Sequence, residues 1–142
     1  MNIREFVPGD TEKVLEIWFE ASRSAHWFLG DSLLRSLKEE VRNKYIPMAE
    51  TWISEEHGEL IGFISLIDNY IGALFVHPFH QGKGAGTCLI KKASSIKNEL
   101  AVGVYEKNQR AQKFYKGLHF IETDSEIQSE TSERVINMKL VS

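Results

Sequence analysis

The stretch Leu74-Phe75-Val76-His77-Pro78-Phe79-His80-Gln81-Gly82-Lys83-Gly84-Ala85-Gly86-Thr87 joins an apolar run to a glycine-rich turn. Leu74 to Val76 shows no polar alternation, as expected of a strand buried on both faces. Pro78 ends that strand. Gly82, Gly84 and Gly86 then alternate just before a helical pattern begins. Glycines at this spacing let the backbone turn tightly and let a ligand approach it closely. The start of the following helix supplies unpaired N–H groups and a partial positive charge. Together these features predict an anion site, most naturally for phosphate, with Lys83 as a mobile cation beside it.

Two common phosphate signatures do not fit. A Walker A loop needs G-x-x-x-x-G-K-[ST], and here the lysine precedes Gly84. A dinucleotide loop needs G-x-G-x-x-G, and counting from Gly82 the last glycine falls on Thr87. The pattern present is Q-x-x-G-x-G, from Gln81 to Gly86.

Downstream of the turn, Gly84 to Lys97 reads as a helix with Leu89, Ile90, Ala93 and Ile96 inward. Cys88, the single cysteine, falls on this helix and reads as a small buried hydrophobe. Leu100 to Tyr105 is a strand. Asn108 to Leu118 is a helix with Asn108 as its cap and Ala111, Phe114, Tyr115 and Leu118 on one face. Phe120 to Thr123 reads as a short strand, Ser125 to Glu133 as a polar loop, and Arg134 to Leu140 as the last strand.

Upstream, three strands are expected at Thr51–Ser54, Leu60–Ile67 and Tyr70–Val76, with turns at Glu56-His57-Gly58 and Asp68-Asn69. Asn2 to Val7 is a further strand. Asp10 is placed to cap a helix carrying Val14, Ile17, Trp18 and Ala21 on one face. Ser22 to Gly30 breaks that pattern. Asp31 is placed to cap a second helix with Leu34, Leu37 and Val41 inward, and Pro47 closes the region. The resulting order, β-α-α-β-β-β-α-β-α-β-β, predicts a mixed α/β (α+β) fold around a central sheet.

The chain has 142 residues, 42% hydrophobic and 26% charged, which predicts one globular domain over residues 1–142. Its net charge of −3 gives no general basic footprint, so no nucleic-acid partner is expected. No run approaches ~18 apolar residues, and the N-terminus lacks a signal-peptide pattern. The reading is a cytoplasmic protein with no membrane partner.

Leu74 to Pro78 with Gln81 to Gly86 resembles the acetyl-CoA-binding motif of the GNAT superfamily of N-acetyltransferases. Asn108, Ala111, Phe114, Tyr115 and Phe120 resemble a second motif of that superfamily, N-x-x-A-x-x-F-Y followed by G-F. His119 stands where that pattern has its glycine, and Gly117 lies in a different register. Ala25 to Leu29 and Gly72 to Val76 are also similar to the small bacterial YjaB-type acetyltransferases.

The resemblance implies a mostly antiparallel sheet, splayed in the middle and flanked by about four helices. It implies transfer of acetyl from acetyl-CoA to an amine by direct attack. The coenzyme A pyrophosphate is expected on Gln81, Gly82, Lys83, Gly84, Ala85, Gly86 and Thr87. The pantetheine arm is expected along Leu74, Phe75 and Val76, with Asn108 also touching the cofactor. Tyr115 is the expected general acid for the departing thiolate, because a phenol of pKa ~10 can donate to it.

The general base stays open among Tyr70, Asp68, His26, His77 and Glu106, or an ordered water. His26, Trp27, Phe28, Asp68 and Tyr70 are the expected acceptor-site residues. His77 and His80 sit i, i+3 in a proline-containing loop with no third ligand nearby, so no metal is expected. The alternative to an enzyme is a non-catalytic acetyl-CoA-binding or sensing module. The chain is expected to be a monomer or homodimer.

Overall fold

The computed structural model describes residues 1–141. The chain begins with β1 (Asn2–Glu5), α1 (Thr11–Ala25) and α2 (Asp31–Glu40). A π-turn (Val41–Tyr45) carries α2 into the single turn α3 (Ile46–Met48). The strands β2 (Glu50–Glu56), β3 (Glu59–Ile67) and β4 (Tyr70–Val76) follow. The second half runs α4 (Ala85–Ile96), β5 (Glu99–Tyr105), α5 (Gln109–Gly117), β6 (Ile121–Ile127) and β7 (Arg134–Val141).

One seven-stranded sheet has the order β1-β2-β3-β4-β5-β7-β6. Its neighbours are antiparallel except β4 and β5, which are parallel. That parallel pair is the expected splay. Only Tyr70 with Ala101 and Ile71 with Val102 are in register. Beyond them β4 stays on β3 as far as Val76, and β5 stays on β7 as far as Tyr105. The two strands therefore part, and their facing backbone edges line an opening instead of bonding to each other.

Apolar side chains fill both sides of the sheet. One layer joins Ile64, Leu66, Val102 and Met138 to Leu89, Ile90 and Ala93 of α4 and to Tyr115 of α5. The other joins Ile53 and Phe63 to Val14, Leu15, Ile17 and Trp18 of α1 and to Leu34 of α2. The two sides of β3 serve different layers, which is why it reads as a continuous apolar strand. Each such Leu or Ile contributes about 1.5–3 kcal/mol by leaving water.

Several local expectations change. Leu74, Phe75 and Val76 are half-buried rather than enclosed on both faces, because they border the opening. The first helix runs to Ala25, one turn past the expected break. Asp10 precedes α1 but does not cap it. Its carboxylate accepts from Arg4 at 2.8 and 2.9 Å and from the Val7 N–H at 2.9 Å. Asp31 is the first residue of α2, and Gly30, at φ +81°, holds the cap position. Ile96 is exposed and Cys88 half-buried.

The sixth strand is longer and later than expected, taking Ser125 to Ile127 out of the supposed loop. It is a sheet edge with every residue exposed, so no apolar alternation marks it. His119 adopts φ +75° after α5, so it makes the left-handed turn that the glycine of the motif would make. No helix among the described residues is long and apolar enough to cross a membrane.

Candidate active site

Two cavities meet in the opening between β4 and β5. The larger, about 620 Å³, is bounded by the glycine-rich turn, the first turn of α4 and the start of α5. The smaller, about 260 Å³, is bounded by α1, α2, the free ends of β4 and β5, and Gln128 with Val135. Leu74, Phe75, Asn108, Ala111 and Tyr115 line both.

Gly82 and Gly84 take φ of +81° and +89° with open space around each. Glycine is needed there for backbone conformation, not for room. Gly86 is different: a Cβ on it would lie 3.1 Å from Phe114 Cζ, so it lets α4 and α5 approach. Ala85, Gly86 and Thr87 open α4 towards the larger cavity, where first-turn N–H groups favour an anion.

Gln81 ties this region together. Its Nε2 donates to the Val76 carbonyl at 3.1 Å, and its Oε1 accepts from Arg110 at 2.8 Å. Arg110, Lys107 and His80 also line the larger cavity, and none was anticipated from sequence. One signal existed for Arg110. A cation in the first turn of a helix opposes the helix dipole, which suggests an anionic partner. Lys83 is exposed and lines neither cavity. The remaining residues expected at the cofactor, Leu74, Phe75, Val76, Gln81, Gly82, Gly84, Ala85, Gly86, Thr87, Asn108 and Tyr115, all line the larger one.

Asn108 caps α5 by accepting the Ala111 N–H on Oδ1 at 3.1 Å. That leaves its Nδ2 as a donor, 3.4 Å from His26 Nε2. The His26 ring is half-buried among Phe28, Phe75 and Tyr105. Burial pulls its pKa down to about 4, so the imidazole is neutral near pH 7. Tyr105 donates its hydroxyl to Gln128 Oε1 at 2.7 Å.

Tyr115 is 6% exposed, with its ring edge-on to Phe114 and Phe120. Burial pushes the phenol well above its ordinary range, so it stays protonated. Tyr70 lines the smaller cavity, and its hydroxyl end is tucked over Gly103. A Cβ on Gly103 would lie only 2.8 Å from that hydroxyl.

The expected acceptor residues divide. His26 and Tyr70 come together in the smaller cavity. Trp27 borders the larger one instead, with 69% of its surface exposed. Phe28 lines neither and packs edge-on against Tyr105. Asp68 occupies the β3–β4 turn and lines neither cavity. Of the other base candidates, Glu106 lines neither cavity, and His77 accepts the Phe79 N–H in its own loop. No aspartate, glutamate, lysine or arginine lines the smaller cavity. Among the described residues no cluster of three metal-ligating side chains occurs.

A family model for the acetyltransferase (GNAT) domain matches residues 25–142. The peptidyl-lysine N-acetyltransferase YiaC of Escherichia coli is 33% identical over 130 residues, covering 91% of this chain and 89% of that relative. The peptidyl-lysine N-acetyltransferase YjaB of Salmonella typhimurium is 31% identical, covering 84% and 83%. The solution structure of apo YjaB from Escherichia coli superposes with a TM-score of 0.86 at 28% identity, covering 97% of this chain and 95% of that one. The PaiA N-acetyltransferase of Thermoplasma acidophilum, solved with coenzyme A, shares the fold with a TM-score of 0.80 at 21% identity, covering 98% of each.

Proposed function

The chain belongs to the GNAT acetyltransferase family as an acetyl-CoA-dependent N-acetyltransferase, and we propose that it acetylates lysine side chains, with Tyr115 as general acid. One observation carries the reading: a cofactor-sized cavity and a narrower second cavity meet at Tyr115.

Acetyl-CoA enters through the larger cavity. Its pyrophosphate rests on the backbone N–H groups at the start of α4, with Arg110 and Lys107 adding positive charge. The pantetheine arm runs along the free edge at Leu74–Val76, as an added strand would. The amine enters from the other side through the smaller cavity. Its nitrogen lone pair attacks the thioester carbonyl carbon, and the C–S bond breaks. Tyr115 gives its proton to the departing thiolate and regains one from water, and the new amide nitrogen gives its extra proton to water. Burial keeps the phenol protonated, so the donor is present throughout the neutral range.

Lysine is supported by two things. The relatives YiaC and YjaB are peptidyl-lysine N-acetyltransferases. The smaller cavity mixes polar and apolar lining but has no charged residue, which suits an acceptor with one neutral amine better than a polycation. Transfer of labelled acetyl to a lysine peptide tests this. Equal or better transfer to a polyamine, with none to the peptide, would overturn it.

A further inference from the structure

Trp27 keeps 69% of its surface exposed and lines the larger cavity. Its neighbours in sequence fix where it stands. His26 Nε2 lies 3.4 Å from Asn108 Nδ2, and the Phe28 ring packs edge-on against Tyr105 with centroids 5.3 Å apart. Asn108 lines both cavities, and Tyr105 lines the smaller one. The link that carries Trp27 is therefore pinned beside the junction of the two cavities. Phe28 also meets the indole edge-on at 5.7 Å, which orients the ring while most of its surface stays in water.

The other residues that α1 gives to the larger cavity are small: Ala21, Ser24 and Ala25. Trp27 is the one bulky side chain on that side of the opening. Leu74, Phe75 and Val76 line the same cavity with the strand edge that leaves β5. We propose that Trp27 lies over the pantetheine arm of acetyl-CoA and covers it against that edge. This rests on the acetyltransferase reading above, and it assigns Trp27 to the cofactor instead of the acceptor.

The chemistry suits an indole. The pantetheine arm carries two amides separated by short aliphatic pieces. Its amides bond to the strand edge, which leaves the aliphatic pieces with one side in water. A flat apolar ring covers that side and loses its own exposed surface in the same step. A charged side chain in its place would lose hydration without gaining a partner.

The test uses the full-length protein and three variants. Trp27→Ala removes the ring, Trp27→Phe keeps an apolar one, and Ile121→Ala is the control. Ile121 is 71% exposed and lines neither cavity. By calorimetry, Trp27→Ala should raise Kd for acetyl-CoA about five- to tenfold, the loss expected when one large aromatic side chain is only partly removed from water. Trp27→Phe should recover most of that affinity, and Ile121→Ala should change nothing. Inhibition by ADP, which lacks the arm, should be equal in wild type and Trp27→Ala, and KM for the amine should not change. Trp18 is buried and Trp52 half-buried, so Trp27 is the most accessible indole. Acetyl-CoA should therefore reduce acrylamide quenching of wild-type fluorescence and leave that of Trp27→Phe unaltered.

Unchanged acetyl-CoA affinity in Trp27→Ala, or unchanged quenching in wild type, overturns the proposal. Weaker ADP inhibition by the same factor places the indole at the nucleotide and overturns it too. A raised amine KM with unaltered acetyl-CoA affinity returns Trp27 to the acceptor side. If wild type binds no acetyl-CoA, the acetyltransferase reading itself falls. Binding by wild type with equal Kd in Trp27→Ala sinks only the assignment of Trp27.

Discussion

Asn108 places its two side-chain atoms on different elements: Oδ1 caps α5 at Ala111, while Nδ2 lies 3.4 Å from His26 Nε2 at the end of α1. The cap fixes the amide orientation, so the NH₂ group faces the imidazole. His26 Nε2 must then be unprotonated, and the ring proton sits on Nδ1. One asparagine, lining both cavities, thereby ties the start of α5 to the end of the first helix.

A pH dependence of stability follows from that neutral imidazole. His26 titrates near 4 when folded and near 6.5 when unfolded. Between these values the unfolded chain binds the extra proton, so stability falls as pH drops from about 6.5 and levels off below about 4. The full loss should be on the order of 3 kcal/mol. Denaturant unfolding of wild type and His26→Gln at pH 7 and pH 4.5 checks this. The variant should lose less stability across that range, and parallel curves would show that His26 is not responsible.

Asn108→Ala removes both contacts. Losing the cap should cost about 1 kcal/mol. Asn108→Asp keeps the capping oxygen but sets a carboxylate beside His26. That charge favours the imidazolium and should raise the His26 pKa from about 4, as NMR titration of the ring would show.

Gly84→Glu should abolish acetyl-CoA binding measured by calorimetry. The position sits at φ +89°, where an L side chain is strained, and the carboxylate would repel the pyrophosphate. Retained binding would move the phosphate site elsewhere.

Tyr115→Phe should lower kcat by about 10²-fold while leaving acetyl-CoA affinity nearly unchanged. The ring stays packed on Phe114 and Phe120, so the fold should persist. An unaltered kcat would remove Tyr115 from proton donation.

Gly103→Ala should destabilise the protein by about 1–3 kcal/mol, because the new methyl would lie 2.8 Å from the Tyr70 hydroxyl and 2.9 Å from Val135 Cγ1. Adding Tyr70→Phe should recover part of that loss. Strict additivity of the two changes in a thermal unfolding cycle would show that the hydroxyl is not the obstacle.

Much of the fold was legible from local pattern. Every expected strand and each of the four longer helices exists in the predicted order. Tyr70–Val76 matches in both bounds, because Asn69 and Pro78 punctuate it. The misreadings fall where burial and pattern separate. Leu74–Val76 is apolar because it borders a cleft, not because it is enclosed. The sixth strand is polar because it is an exposed edge, and only pairing with β7 makes it a strand.

The site divides along the same line. Gly82, Gly84 and Gly86 declare themselves in the sequence, because backbone conformation and close helix approach restrict which residue can stand there. The cap at Asn108 and the aromatic pair Phe114-Tyr115 are legible for similar local reasons. What lies opposite them was not. Arg110 meets Gln81 across 29 residues, and Asn108 meets His26 across 82. Asp68 and Phe28 looked equivalent to Tyr70 and His26 until the strands and helices were placed. Ser22 reads in sequence as the first residue of the break that follows the amphipathic helix. Local propensity and glycine stereochemistry act over a few residues, so the sequence alone determined the elements, their order and the glycine-rich turn. The parting of β4 from β5, the neutral cavity beyond Tyr115 and the burial of Ser22 arise from packing between distant segments, and only the tertiary structure decided them.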